Sequence, residues 1–288
     1  MKYLHPAALL RKYGFSPKKK LGQHFLADPH VAQKIVSLAH VGENDTLLEI
    51  GPGTGMLTSL LLTEAREVIA IERDRRMAEI LQEEIGKSQL VADQGRCLRL
   101  VVADVLSVGL SRIFPDGKKC IVVANLPYNA ATEILFHLFG FWDRIERMVL
   151  MFQKEVGDRI LAHPGNKSYG ALTLNVAYFA EVTKGFVVEP GSFLPPPAVH
   201  SMVLTFRHCA QTRHLPEWKL FRRFVMDAFA RRRKFLINGL GQSETFGLTK
   251  GEWLKLFRDI GLSEKVRAEE LSFEQYVELV ERGLAISK

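Results

Sequence analysis

What most constrains this chain is an alternation of short apolar runs with stretches of helical spacing. Residues 46–50, 67–72, 98–103, 120–124 and 147–153 read as strands, and 29–39, 56–65, 75–85 and 132–139 as helices. The run Ile121-Val122-Val123-Ala124 has no polar alternation, so it predicts a strand buried on both faces, as in a parallel sheet. Asp28 followed by Pro29 predicts a capped helix start. Further helices are expected at 156–162 and 168–179, with late strands at 184–188 and 200–207. Strand–helix alternation of this kind predicts an α/β fold with a doubly wound, mostly parallel sheet. After Arg207 the strand signal stops. Residues 215–240, 250–260 and 272–282 have helical spacing alone. The expected division is a sheet domain over 1–207 and a small all-helical domain over 208–288, both within ordinary domain sizes.

In open α/β sheets, ligands bind beyond the carboxyl ends of the strands, and the polar residues of this chain collect there. Gly51, Gly53 and Gly55 follow the first strand and open a helix, a turn that lets a ligand approach the backbone. Glu72 ends the second strand about 20 residues on, where an acid accepts ribose hydroxyls. Asp104 ends the third strand, either as an acceptor for an adenine N6 or as a turn cap. Two ligand classes fit the glycine turn. Dinucleotide sites usually show G-x-G-x-x-G, with helix amides facing a pyrophosphate. Here the spacing is G-x-G-x-G with Glu49 just upstream, and acids near the turn suit a cationic ligand such as S-adenosyl-L-methionine better than a diphosphate.

Asn125-Leu126-Pro127-Tyr128 follows the fourth strand. An amide, a rigid proline and a ring at a strand end suit one task, holding a planar amino-bearing base. Adenine N6 is a poor nucleophile because its lone pair is delocalised into the ring. It sheds a proton only after gaining a substituent, so acceptors for N6–H matter more than a strong base. The Asn125 side-chain oxygen and the Leu126 carbonyl would supply them, and Pro127 would fix the turn. Tyr128 would stack on an extruded base, worth roughly 1–3 kcal/mol, and Phe193, beside three prolines, would form a second wall. The plainer alternatives are a helix cap at Asn125, a core aromatic at Tyr128 and a domain linker at 195–197.

The formal net charge is +7, from 39 basic and 32 acidic residues. Residues 1–27 carry six cations, including Lys18, Lys19 and Lys20, and no acid. Residues 211–240 include Lys219, Arg222, Arg223, Arg231, Arg232, Arg233 and Lys234 against Glu217 and Asp227. Two such segments could frame one face for a polyanion; solvated basic surfaces are the alternative. The clustered Arg231–Arg233, on a helix, favour phosphate contact over base reading. Cys97, Cys120 and Cys209 are odd in number, scattered and without metal-ligand spacing, which fits a reduced cytoplasm. No apolar run approaches the roughly 18 residues that would span a bilayer. The apolar patch 7–10, flanked by Arg11 and Lys12, lacks the pattern of a signal peptide. No membrane role and no metal are expected.

In order along the chain stand Gly22-Gln23-His24-Phe25-Leu26, Glu49-Ile50-Gly51-Pro52-Gly53-Thr54-Gly55, Asn125-Leu126-Pro127-Tyr128, Gln153-Lys154-Glu155-Val156 and Phe193-Leu194-Pro195-Pro196-Pro197. Together they resemble the KsgA-type small-subunit (16S) rRNA adenine N6,N6-dimethyltransferases, from about residue 18 to 207. The resemblance implies a Rossmann-like class I methyltransferase sheet with a helical rRNA-binding domain, and S-adenosyl-L-methionine as methyl donor. It also implies two adjacent adenosines in the 3'-terminal hairpin loop of small-subunit rRNA as substrate. The setting would be an immature 30S particle in the cytoplasm, with the enzyme a monomer. By position, the cofactor contacts would be His24, Leu26, Gly51, Glu72, Asp104 and Asn125. His24 replaces the Asn of many bacterial members. A neutral His is preferred beside a sulfonium, which predicts some pH sensitivity of cofactor binding.

A second enzyme class shares the fold and a similar tetrapeptide, the large-subunit rRNA adenine methyltransferases of the antibiotic-resistance type. The segments 153–156 and 193–197 favour the small-subunit type. A third class is an assembly or transcription factor that binds nucleic acid without catalysis; intact Gly51, Glu72, Asp104 and Asn125 argue against it.

Overall fold

The computed structural model describes residues 5–18, 22–87, 95–114, 119–209, 215–231 and 234–287. Among these, the strands are β1 (Phe25–Leu26), β2 (Thr46–Ile50), β3 (Glu67–Glu72), β4 (Cys97–Val102), β5 (Cys120–Asn125), β6 (Ile145–Gln153), β7 (Ala180–Val188), β8 (Phe193–Leu194) and β9 (Ser201–His208). Seven of them form one sheet in the order β4-β3-β2-β5-β6-β9-β7. The strands β4, β3, β2, β5 and β6 pair in parallel, and β9 runs antiparallel to β6. The five expected strands of the first half are all present, and the sheet is mostly parallel as expected. The order reverses between β2 and β5, so a crevice opens beyond their carboxyl ends. β2 and the first five residues of β5 are buried throughout, as the absence of polar alternation requires.

Local sequence explains the helix that follows β1. Over Pro29–Ala39, Ala32, Ile35, Val36 and Ala39 are buried at helical spacing. The Asp28 carboxylate accepts from the His30 and Val31 N–H groups at 2.9 and 3.4 Å. At the other end the Arg147 guanidinium donates to the Ala39 and His40 carbonyls at 2.8 and 2.7 Å, placing a cation at the negative end of the helix dipole.

Two compact units are present. One runs to Gly157 and resumes over Val182–His208; the other holds Asp158–Glu181 and the chain from Cys209 onward. A single boundary after residue 207 therefore does not describe the packing. Ala162, Tyr169 and Leu174 share a core with Phe221, Phe224, Val225 and Ala228 and with Trp253, Leu256, Tyr276 and Leu279. The Tyr169 hydroxyl also donates to the Leu271 carbonyl at 2.8 Å. Within this unit the expected helix over 215–240 is two, Trp218–Phe229 and Leu236–Leu240. Capping boxes at Thr249/Glu252 and Ser272/Gln275 start the last two.

Two features of the sheet unit had no counterpart in the sequence pattern. Pro6–Lys12 is a short helix, and Leu9, Leu10 and Phe15 pack with Phe25, Met77 and Ile80. The two-residue strands β1 and β8 pair with each other, Phe25 opposite Leu194 and Leu26 opposite Phe193.

Candidate active site at the strand ends

The crevice is a pocket of about 1090 Å³, counting its open mouth. His24, Leu26, Gly51, Glu72, Asp104, Asn125, Leu126, Pro127 and Tyr128 all line it. Residues from four strand ends and the β1 segment thus meet in one cavity.

One end of the pocket is acidic and buried. Glu72 is 7% exposed. Its Oε2 accepts from the Gly53 N–H at 3.3 Å and its Oε1 from the Asp74 N–H at 2.8 Å. Burial raises its carboxyl above the ordinary range, and these N–H groups offset part of that. Glu49 is 1% exposed, and its Oε2 has no hydrogen-bond partner among the described residues. Burial, with a smaller contribution from the nearby Glu72 charge, pushes its carboxyl up to about 8, and Thr58 offsets only part. An unsatisfied buried acceptor is costly, so this end fits a ligand that brings positive charge and hydroxyl donors. A diphosphate would meet two acids.

The three glycines of the turn differ in what surrounds them. Gly51, Gly53 and Gly55 all have positive φ, at 67°, 55° and 83°. A Cβ on Gly51 would meet nothing nearer than the Asn125 carbonyl at 3.9 Å, whereas one on Gly53 would strike the Phe25 ring at 2.7 Å. One on Gly55 would strike Ile85 and Leu81 at 2.3 and 2.5 Å. Gly51 thus leaves room for a ligand. Gly53 and Gly55 leave room for the protein's own side chains, and Gly53 reaches the site through its N–H on Glu72. Asp104 Oδ1 caps the Leu106 N–H at 3.1 Å, the turn-cap role expected for it, and Oδ2 lies 3.3 Å from Arg73 Nη1; both residues line the pocket.

The other end is neutral. The Asn125 Nδ2 donates to the His24 carbonyl at 3.0 Å. That bond assigns the amide nitrogen and leaves the side-chain oxygen as an acceptor. The Leu126 N–H donates to Met151 O at 3.3 Å, and the Pro127 carbonyl accepts from Ala130 N–H at 3.0 Å. The tetrapeptide is therefore fixed to its neighbours on both sides. The Tyr128 hydroxyl shares a 2.6 Å hydrogen bond with Ser201 Oγ, and burial raises its phenol above the usual value, so it stays neutral. The His24 ring stacks on Tyr128, centroids 5.5 Å apart at 24°. Its Nδ1–H donates to the Pro195 carbonyl at 2.8 Å, which leaves Nε2 as the nitrogen facing away from that bond.

Several expected site residues lie elsewhere. Phe193 is 3% exposed, belongs to the sheet-unit core and does not line the pocket. It supports the site from behind through its pairing with Leu26; stacking on a base would require β8 to move. Lys18 Nζ pairs with Asp74 Oδ2 at 2.7 Å, with its side chain 53% exposed. Arg222 and Arg223 are exposed on the helix face opposite Phe221, Phe224, Val225 and Ala228, and Arg231 is exposed beyond that helix's end. Lys19, Lys20, Arg232 and Arg233 lie outside the described residues. Two polar residues beside the site have only local signals in the sequence: Asp74, an Asp before Arg75-Arg76 that marks a helix cap, and Gln23, within Gly22–Leu26.

Residues 14–283 match the ribosomal RNA adenine dimethylase family. The chain belongs to that family. A methyltransferase activity follows from membership. The chain is 41% identical to the ribosomal RNA small subunit methyltransferase A of Magnetococcus marinus, over 97% of this chain and 96% of the relative. Among solved structures, a dimethyladenosine transferase from Plasmodium falciparum superposes with a TM-score of 0.77 at 27% identity, covering 90% of this chain and 97% of the other. The 23S rRNA methyltransferase ErmE superposes with a TM-score of 0.67 at 23% identity, covering 90% and 98%. That last likeness is one of fold alone.

Proposed function

We propose that this member of the dimethylase family transfers methyl groups from S-adenosyl-L-methionine to N6 of two adjacent adenosines. The target is the 3'-terminal hairpin loop of small-subunit rRNA, within an immature 30S particle in the cytoplasm, and the enzyme acts as a monomer. The observation that carries this is the Asn125 amide, tied by its nitrogen to the His24 carbonyl so that its oxygen is left for a donor, in the same pocket as two buried acids. A neutral acceptor beside an acidic cavity suits an uncharged amine meeting a cationic ligand.

When bound, S-adenosyl-L-methionine supplies an electrophilic methyl group on a sulfonium. The protein's part is to bind, orient and stabilise. Glu72 accepts the ribose hydroxyls with the lone pairs its two N–H partners leave. Glu49 offers its unpartnered oxygen to the cationic end, and Gly51 leaves space for the chain of the donor. Asp104 accepts from the adenine N6 through the carboxylate oxygen that Arg73 also faces, and His24 and Leu26 close the pocket wall. Asn125 Oδ1 and the Leu126 carbonyl accept from N6–H of the target base, which favours a more tetrahedral nitrogen and stabilises the positive charge that develops there. Tyr128, held by Ser201, presents a ring face for stacking. A loop base leaves its stack at small cost. Lys19, Lys20, Arg222, Arg223, Arg231, Arg232 and Arg233 carry the phosphate contacts, which position the RNA without reading sequence.

Transfer of labelled methyl groups to small-subunit particles lacking the modification, followed by mapping of the product, tests this. Two adjacent N6,N6-dimethyladenosines in the terminal hairpin are expected. Label only in large-subunit RNA, or binding without product, would overturn it.

A further inference from the structure

The N-terminal segment and the acid at the end of β3 are joined through one buried carboxylate. Lys18 Nζ lies 2.7 Å from Asp74 Oδ2, and the Gln23 amide reaches the same oxygen at 3.4 Å. Gln23 Oε1 accepts from the Lys18 N–H at 2.8 Å, so the two residues are also tied to each other. The other oxygen of Asp74 caps the Arg76 and Met77 N–H groups. The backbone N–H of Asp74 donates to Glu72 Oε1 at 2.8 Å. Beneath this polar cluster, Leu9, Leu10, Phe15 and Phe25 pack on Met77 and Ile80 of the helix that Asp74 caps.

From this geometry we infer that Lys18 is a positioning residue for donor binding, acting through Asp74 on the Glu72 carboxylate. The inference rests on Glu72 being the acid that accepts the donor's ribose hydroxyls. The ion pair is unequal: the Lys18 side chain is 53% exposed, but that of Asp74 is 1% exposed. An exposed pair contributes little, whereas a buried carboxylate that loses its cation keeps an uncompensated charge. The cap bonds hold Asp74 in place, so its charge cannot swing away from Glu72. Without Lys18 the neighbouring negative charge acts on Glu72 in full and favours its protonated form, which donates where the site needs an acceptor.

The charged groups around Glu72 are Glu49 on β2, Arg73 and Asp74 in its own turn, and Asp104, which pairs with Arg73. Lys18 is the cation that the N-terminal segment adds to this set among the described residues. Its loss therefore moves the pH range of donor binding upward, an effect that mere loosening of the fold would not produce.

The test uses the full chain and titrates S-adenosylhomocysteine calorimetrically, alongside methyl transfer to small-subunit particles. For Lys18→Met, a rise of about tenfold in Kd and in the donor KM is expected, a smaller change in kcat, and an upward shift of the pH profile of Kd. Lys18→Arg is expected to restore Kd to within about threefold, because it returns the cation. In an Asp74→Asn background, Lys18→Met is expected to cost nothing further, because the charge it compensates is gone. An unchanged Kd for Lys18→Met, with weaker particle binding and a shallower salt dependence, would overturn the inference and make Lys18 a phosphate contact. Glu72→Gln serves as the separate control. If it leaves Kd unchanged, the assignment of Glu72 fails; if it weakens binding while Lys18→Met does not, only the positioning role of Lys18 fails.

Discussion

The two ends of the pocket are built from opposite materials. At the β2 and β3 ends stand two buried acids, one with an unsatisfied oxygen. At the β5 end stand an amide, a carbonyl, a proline and a phenol held neutral by burial. The first end can recognise charge, and it responds to pH. The second offers hydrogen-bond acceptors and a ring face. This division matches the chemistry proposed for the site: a cation has to be held, while an uncharged aromatic amine has to be turned so that its lone pair faces outward. The imidazole beside the acceptor, His24, has its Nδ1 tied to the Pro195 carbonyl, and methylation at N6 needs no base until the new bond exists.

Substitutions at each end should separate accordingly. Asn125→Ala is expected to have the largest effect, lowering the single-turnover transfer rate by about 100-fold or more while particle binding persists; unchanged turnover would remove Asn125 from its role. Glu72→Gln should act on the other quantity, raising the Kd for S-adenosylhomocysteine by about 30-fold, the order expected for losing hydrogen bonds to a charged group.

Glu49 sharpens the contrast through pH. Its carboxyl is raised from 4.5 to about 8 by burial, so near neutral pH it holds a proton that a cationic ligand would expel. Donor affinity should therefore rise by about 15-fold between pH 6.5 and 8, and Glu49→Gln should flatten that rise. The same shift sets a stability trend. The protonated buried carboxyl contributes fully below the unfolded value of 4.5, and that contribution is lost as pH rises toward 8. Without donor at pH 8, Glu49→Gln should melt at a higher temperature than the parent. The smallest effect belongs to Tyr128→Phe, which keeps the ring and loses only the Ser201 bond. A change of about threefold in kcat is expected, and a much larger one would give the hydroxyl a part in the chemistry.

How much of this could be read in advance follows from which interactions are local. The parallel strands were legible because burial on both faces leaves a continuous apolar run, as in β2 and β5. Glu72, Asp104 and Asn125 were legible because strand ends are where such sheets expose polar groups. The pairing of β1 with β8 was not, since two residues carry no periodicity and their partners lie far apart in sequence. For the same reason Phe193 read as a wall of the pocket when it is part of the core. Gly53 and Gly55 looked like ligand clearance because a sequence shows that a side chain is missing, not what occupies its place. Lys18 looked like a free cation because its partner, Asp74, is 56 residues away. The helical unit begins at Asp158 rather than after residue 207 because packing of Tyr169 and Leu174 decides membership, and no composition change marks it.

The contrast between the two ends is tested most directly by the pH dependence of single-turnover methyl transfer at saturating donor, on small-subunit particles lacking the modification. A rate that stays level between about pH 6.5 and 8.5, while donor affinity changes over the same interval, is the expected result, because the acceptor end holds its base with neutral groups. A rate that climbs about tenfold per pH unit would reveal an ionising general base at the β5 end and contradict the account.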